Sequence, residues 1–129
     1  MAHIVNPKVC LDANVLLELI FERKKFMAAK ELVAKQSNLF VTTLTVHIVM
    51  YYGLKEHRDP AELEHTLSSF QWLDCAQEDA AWAFRNYHAK DFEDGLQVAS
   101  ALRGGCKRFV TLDKRLQRHY APYLAIDLL

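Results

Sequence analysis

Lys90-Asp91-Phe92-Glu93-Asp94-Gly95-Leu96-Gln97-Val98-Ala99-Ser100-Ala101-Leu102 crowds three carboxylates into one turn and then continues as an apolar helix. Residues three apart share a helix face, so Asp91 and Asp94 can point the same way while Glu93 is turned aside. Carboxylates aimed at one point repel each other unless a cation or a proton lies between them. A purely local explanation exists, with Asp91 as N-cap and Asp94 as the acidic third residue of a capping pair, both favoured by the helix dipole. Two further segments argue for more than capping. Val9-Cys10-Leu11-Asp12-Ala13-Asn14 and Phe109-Val110-Thr111-Leu112-Asp113 are each an apolar strand pattern ending on an Asp.

Outward from these segments, the chain alternates short apolar runs with helical stripes. Lys8 to Leu11 reads as a buried strand with Asp12 just beyond its end, and Asn14 can cap the helix that follows. That helix carries Val15, Leu16, Leu19 and Ile20 on one stripe, and a second helix is expected from Phe26 through Ala34. Leu39-Phe40-Val41 is the next strand, with Thr42, Thr43 or Thr45 capping a helix to about Lys55. Asp59-Pro60 starts another helix, whose stripe is Leu63, Thr66, Leu67 and Phe70. Trp72 to Cys75 reads as a third strand and Glu78 to Tyr87 as a helix packed by its aromatic residues. The acidic helix ends at Gly104-Gly105. Arg108 to Thr111 is a fourth strand, Lys114 to His119 a short helix, and Tyr123 to Leu128 a last strand.

Residues 1–129 fit one domain: the chain is 51% hydrophobic, has only 4 Gly and 3 Pro, and contains neither a linker-like stretch nor an internal repeat. No apolar run reaches membrane-spanning length, and the stretch from Met1 to Lys8 lacks the order of a signal peptide, so a cytoplasmic protein with no membrane contact is expected. Cys10, Cys75 and Cys106 are odd in number and lie in or beside apolar segments, which suits buried free thiols rather than disulfides or zinc. With 16 basic and 16 acidic side chains the net charge is zero, so any polyanion must be held by local groups. Those groups are Arg23-Lys24-Lys25, Lys55 with Arg58, Lys107-Arg108, and Lys114-Arg115 followed by Arg118, each otherwise an ordinary solvated face.

Buried strands alternating with helices predict an α/β domain with a mainly parallel sheet and helices on both faces. In such sheets the ligand crevice lies beyond the carboxyl ends of the strands, where strand order reverses. If the first and fourth strands are neighbours, Asp12 and Asp113 meet there, with the Asp91 helix opening over them. Oxygen-only ligation by Asp12, Asp94 and Asp113, with Asp91 as a further acid, selects hard ions such as Mg²⁺ or Mn²⁺ over zinc. An ion held this way activates water and stabilises charge on a phosphodiester. Thr111 can hold a carboxylate or a water, Asn14 can fix the loop carrying Asp12, and Lys114 and Arg115 can contact phosphate.

At these residues the chain resembles the PIN-domain family of ribonucleases, which includes the VapC-like toxins of toxin–antitoxin pairs. The resemblance rests on Leu11-Asp12-Ala13-Asn14-Val15-Leu16, on Asp91-Phe92-Glu93-Asp94-Gly95-Leu96-Gln97, and on Val110-Thr111-Leu112-Asp113, in that order. It implies a three-layer α/β fold with a five-stranded sheet in the order 3-2-1-4-5. It also implies Mg²⁺- or Mn²⁺-dependent cleavage of single-stranded RNA, frequent homodimerisation, and often an antitoxin partner. One position departs from the family pattern: Ile48, in Thr43-Leu44-Thr45-Val46-His47-Ile48-Val49, stands where a Glu is usual. His47 is a polar neighbour that reads more readily as a structural residue, and Glu18, read as surface, or Glu93 would have to compensate.

Two other readings compete. In one, Asp12 accepts a phosphoryl group, but such sites want a second acid two residues on, where this chain has Asn14, together with a late Lys at a strand end. In the other, the chain is a catalytically weak PIN-like module that binds RNA or a protein partner without cutting, a reading that Ile48 favours.

Overall fold

The computed structural model describes residues 6–129; the reading of the N-terminus as leaderless rests mainly on Met1 to Val5, outside the described residues. Five strands form one sheet: β1 (Val9–Leu11), β2 (Leu39–Thr42), β3 (Gln71–Leu73), β4 (Arg108–Thr111) and β5 (Ala125–Leu128). The order is β3-β2-β1-β4-β5, as the family resemblance implied, and every pairing is parallel where the alternation of strands and helices predicted a mainly parallel sheet. The helices between them are α1 (Ala13–Ile20), α2 (Phe26–Lys35), α3 (Thr43–Lys55), α4 (Pro60–Leu67), α5 (Gln77–Asn86), α6 (Phe92–Arg103) and α7 (Lys114–Tyr120). Among the described residues no helix is long and apolar enough to cross a membrane.

Side chains alternate across a strand, and that alternation builds two cores, one on each face of the sheet. Val9, Leu11, Leu39, Val41 and Val110 turn to one face, where they meet Val15, Leu16, Ala29, Val49, Leu63 and Leu67 from α1 to α4. Cys10, Phe40, Phe109 and Ile126 turn to the other and meet Val98, Ala101, Leu116 and Tyr120 from α6 and α7. Helices therefore cover both faces of the central strands, which explains why β1 is apolar at every position.

Several local expectations are corrected. β3 ends at Leu73 rather than Cys75, because the Cys75 N–H donates to Thr43 Oγ1 (3.1 Å) rather than to the ladder. β5 begins at Ala125, since the Tyr123 N–H closes a turn onto the Tyr120 carbonyl (2.9 Å). Phe84 is not a core residue; it is exposed and stacks on Phe92 with ring centroids 4.9 Å apart. All three cysteines are free thiols, with Cys10 and Cys106 buried and Cys75 half-buried.

Glycine has a structural reason at two places near the acidic helix. Gly105 turns the chain out of α6 at φ 79°, a left-handed conformation costly for other residues. Gly95 lets α6 approach its neighbours closely, since a Cβ there would lie 3.1 Å from the Tyr120 hydroxyl and 3.3 Å from Ala83 Cβ.

Candidate active site

The register places the site. Leu11 pairs with Val110, so the next residues, Asp12 and Thr111, emerge side by side at the carboxyl ends of β1 and β4. This is the point where strand order reverses, with β2 on one side of β1 and β4 on the other. The Asp12 N–H continues the ladder onto the Val110 carbonyl (2.9 Å), so the residue is held by the sheet before its side chain makes any contact.

Asp12 is buried and its carboxylate is held in place. It accepts from the Ala13 N–H (2.7 Å), the Thr111 hydroxyl (2.7 Å) and the Asn14 amide (3.2 Å). Asn14 in turn donates to Thr111 Oγ1 and accepts from the Leu112 N–H, both at 3.2 Å, which ties α1 to the end of β4. Capping duties differ from those expected. Asp12, not Asn14, caps α1, and Asp113 caps α7 by accepting from the N–H groups of Arg115 (2.8 Å) and Leu116 (3.3 Å). Asp91 stands at the N-cap position of α6 but makes no side-chain capping bond. Among the described residues the Asp94 carboxylate accepts no protein hydrogen bond either, so its place in the helix is not explained by capping.

The electrostatics separate these acids from ordinary buried ones. Asp79 is buried too, yet Arg103 meets it at 2.9 Å; burial alone would push its pKa up, but the guanidinium and the Ala76 N–H outweigh that and leave it below the usual carboxylate value. Asp12 has no such partner. Desolvation pushes it up to about 6 against the opposing Thr111 and Ala13 hydrogen bonds, with the Asp113 and Glu93 charges adding to the rise. Asp94 is pushed up to about 7 by desolvation, then by Asp12, Asp113, Asp91 and Glu93. Four carboxylates thus act on Asp94, and among the described residues none of Asp12, Asp91, Asp94 or Asp113 is ion-paired with a basic side chain.

Such a group fits a hard divalent ion in its chemistry: every candidate donor is an oxygen, and among the described residues no basic side chain is ion-paired with them. No three His, Cys, Asp or Glu side chains among the described residues already surround a common point at ligand distance. Asp12 is fixed, whereas Asp94 carries no hydrogen bond that would oppose its reorientation toward an ion.

The neighbours of the cluster divide into two flanks. On one, His47, Ile48, Tyr51, Tyr52, Leu44 and Glu93 line a groove of about 280 Å³. His47 is exposed there, not a buried structural residue, and Ile48 presents an apolar wall opposite Glu93, whose charge acts on both Asp12 and Asp94. Glu18 is likewise not on the surface: it is buried and accepts from the Lys25 N–H (3.0 Å), holding the turn after α1 rather than joining the cluster. On the other flank Arg115 shares a cavity with Asp91, while Lys114 does not line it.

Sequence reasoning missed the group that orients α6. Gln97, buried and one turn beyond Asp94, accepts from the Thr42 hydroxyl (2.5 Å) and donates to Thr45 Oγ1 (2.7 Å), while Thr42 Oγ1 caps α3 by accepting from the Thr45 N–H (3.1 Å). The ring ties the helix bearing Asp94 to the end of β2, and its one sequence signal is a Gln inside an otherwise apolar stripe. Replacing Gln97 by Ala should destabilise the fold by about 2 kcal/mol, since it leaves buried hydroxyls unpartnered and opens a void. Urea unfolding of the two proteins would measure it, and equal midpoints would show that the ring contributes nothing.

The sequence profile of the PIN domain family matches residues 9–122. No curated protein sequence matches the chain significantly. Among solved structures, a toxin–antitoxin complex from Klebsiella pneumoniae is similar at 20% identity over 92% of this chain and 95% of that one, with a TM-score of 0.73. VapBC2 from Rickettsia felis, bound to a DNA fragment from its promoter, is similar at 16% identity over 94% and 98% of the two chains, with a TM-score of 0.70. The Sarcin-Ricin loop cleaving toxin VapC20 of Mycobacterium tuberculosis is similar at 11% identity over 86% and 94%, with a TM-score of 0.71. These likenesses establish the fold, and with a profile that spans the sheet from β1 past β4 and takes in Asp12, Asp94 and Asp113, the chain belongs to the PIN domain family.

Proposed function

We propose that this chain is a divalent-metal-dependent endoribonuclease that cuts single-stranded RNA and serves as the toxin of a toxin–antitoxin pair in the cytoplasm. The observation that carries the reading is the pair Asp12 and Asp94, desolvated carboxylates from distant segments raised to about 6 and about 7 with no basic partner. Membership of the PIN domain family supports it, as do the toxin–antitoxin structures that share the fold. Mg²⁺ or Mn²⁺, held by Asp12, Asp94 and Asp113, would supply acidity to water and neutralise charge on the phosphodiester. The chain's own residues do the rest. Thr111 and Asn14 hold Asp12 in one orientation, and the Gln97 ring ties α6, the helix that bears Asp94, to the end of β2. The N-terminus of α6, which has no side-chain cap, carries partial positive charge that favours a polyanion. Lys114 and Arg115 offer phosphate contacts beside Asp113. An antitoxin and a second copy of the chain are the partners in this reading, and exposed Tyr51, Tyr52 and Trp72 offer aromatic surface for such contacts.

The test is cleavage of an unstructured RNA while Mn²⁺ or Mg²⁺ is titrated. Cutting should saturate with metal, stop with chelator, and spare the same sequence in a duplex; cutting that ignores the chelator overturns the reading. The second reading, a module that binds RNA or a protein without cutting, is favoured by Ile48, which leaves the α3 flank without a carboxylate of its own. It predicts RNA binding with no cleavage at any metal concentration.

A further inference from the structure

Beyond the acidic cluster, on the α7 flank, lies a cavity of about 260 Å³ lined by His88, Ala89, Asp91, Arg115, Arg118 and His119. Its basic side chains come from two separate segments, the loop before α6 and the outer face of α7. The His88 and His119 rings are stacked, with centroids 3.7 Å apart and planes 35° from parallel. Ala89 takes φ 52°, a left-handed conformation that costs a non-glycine residue energy and persists where surrounding structure holds it.

Four potential donors to an anion thus face one carboxylate, Asp91. Two guanidiniums thus stand beside two imidazoles with the single carboxylate of Asp91 to balance them; desolvation, with His88 and Arg118 next, holds His119 below its ordinary pKa. A cation is disfavoured by the two arginines, and an apolar ligand would leave the guanidiniums without partners. Arginine's planar fork matches phosphate oxygens, and an imidazole N–H adds a directed donor.

We propose that this cavity is a phosphate subsite in which Arg115, Arg118 and the His88–His119 pair hold one phosphate group of the polynucleotide strand whose neighbouring linkage lies over the acidic cluster. The inference rests on the nuclease reading for the identity of the strand, but the subsite itself requires only phosphate. Its position, sharing Asp91 with the cluster, fixes the phase of the strand: the phosphate that sits against α7 is not the one that is cut. The same chemistry has two sources, an internal phosphodiester or a terminal phosphate monoester, and both can be tested.

The experiment uses the full chain carrying Asp12→Asn, so that a strand is bound without being cut. Binding of one unstructured RNA oligonucleotide, with a 5′-hydroxyl or a 5′-phosphate, is followed by fluorescence anisotropy across a salt series. Arg118→Ala, at an exposed position whose loss leaves the core intact, should weaken both forms roughly tenfold and reduce the salt slope by about one phosphate if the occupant is internal. If Arg118→Ala abolishes only the advantage of the 5′-phosphate, the subsite stands and its occupant is the end of the strand. Unchanged affinity and slope in Arg118→Ala and in His88→Asn overturn the proposal even when the parent cuts RNA. Inorganic phosphate gives a readout that does not depend on RNA: the His88 and His119 ring proton signals should shift saturably, and no longer do so in Arg118→Ala. That result upholds the subsite even where no RNA is bound or cut, whereas the lack of any saturable shift with phosphate and with oligonucleotide overturns it.

Discussion

Replacing Asp12 by Asn should lower metal-dependent RNA cleavage by about a thousandfold or more, because the removed charge is worth several kcal/mol to an ion and to the charge it stabilises. The fold should survive the change. Asn keeps an oxygen to accept from the Ala13 N–H, and Thr111 and Asn14 have other partners at the end of β4. Asp94→Asn should be as damaging to activity, since it removes the other raised acid, on which the Asp12 charge acts. Asp91→Asn should be milder, because that residue starts a helix without capping it and water can replace one ligand oxygen. Asp113 caps α7 and, on the proposed reading, also binds the ion, so Asp113→Asn should mainly reduce metal affinity, while Asp113→Ala also removes the cap at about 1 kcal/mol of stability. If purified Asp12→Asn cuts RNA as fast as the parent at matched metal, the cleavage belongs to another site or to a contaminant.

Stability of the metal-free chain should fall as pH rises from about 4 to about 8. Asp12 and Asp94 move from an ordinary 3.8 to about 6 and about 7, so the folded state holds their protons more tightly than the unfolded state does. Between the unfolded and folded values the folded chain binds more protons, and the slope of unfolding free energy against pH is negative there. The contribution is fully present below the unfolded value and is lost as pH passes through the folded ones. For Asp12, which is almost fully buried, a rise of about two units corresponds to a loss on the order of 3 kcal/mol; Asp94 is less buried, so solvent screening makes its share smaller. Millimolar Mn²⁺ should restore stability at pH 8 and do little at pH 4, where the ligands are protonated. Thermal melts with chelator and with Mn²⁺ across this range would measure it. A profile that Asp12→Asn leaves unchanged would disconnect the pH dependence from this site.

Much of this arrangement was legible in residue order. Asp12 and Asp113 were placed by one rule, that a buried strand in a parallel sheet delivers the next polar residue to the crevice, and the strands were readable because β1 and β4 are apolar on both faces. Asp91 and Asp94 followed from helix periodicity. What the sequence did not disclose depended on how elements rotate against each other. Capping by Asp12 and Asp113 rather than by Asn14 and Asp91 turns on the local backbone angles at each helix start. The Gln97 ring needs α6 beside the end of β2, and its partners Thr42 and Thr45 are more than fifty positions away in the chain. The burial of Glu18 depends on the turn that brings the Lys25 N–H back over α1. His88 and His119 belong to no motif and meet only because one loop folds onto α7.

The hydrogen bond from Thr111 to Asp12 joins positions 99 apart, and β4 enters the sheet beside β1, a strand made well before it. Until β4 has been translated, Asp12 lacks the Thr111 hydroxyl and the β4 ladder bond that hold it, and β1 remains an edge strand. The cluster therefore comes into being only after β4 and Thr111 have left the ribosome. On the nuclease reading proposed above this is a safeguard in time: the message being read meets no finished metal site until β4 has emerged and docked beside β1. Nascent chains stalled before Arg108 should accordingly show no Mn²⁺-dependent protection from protease, and chains stalled well beyond Asp113 should show it.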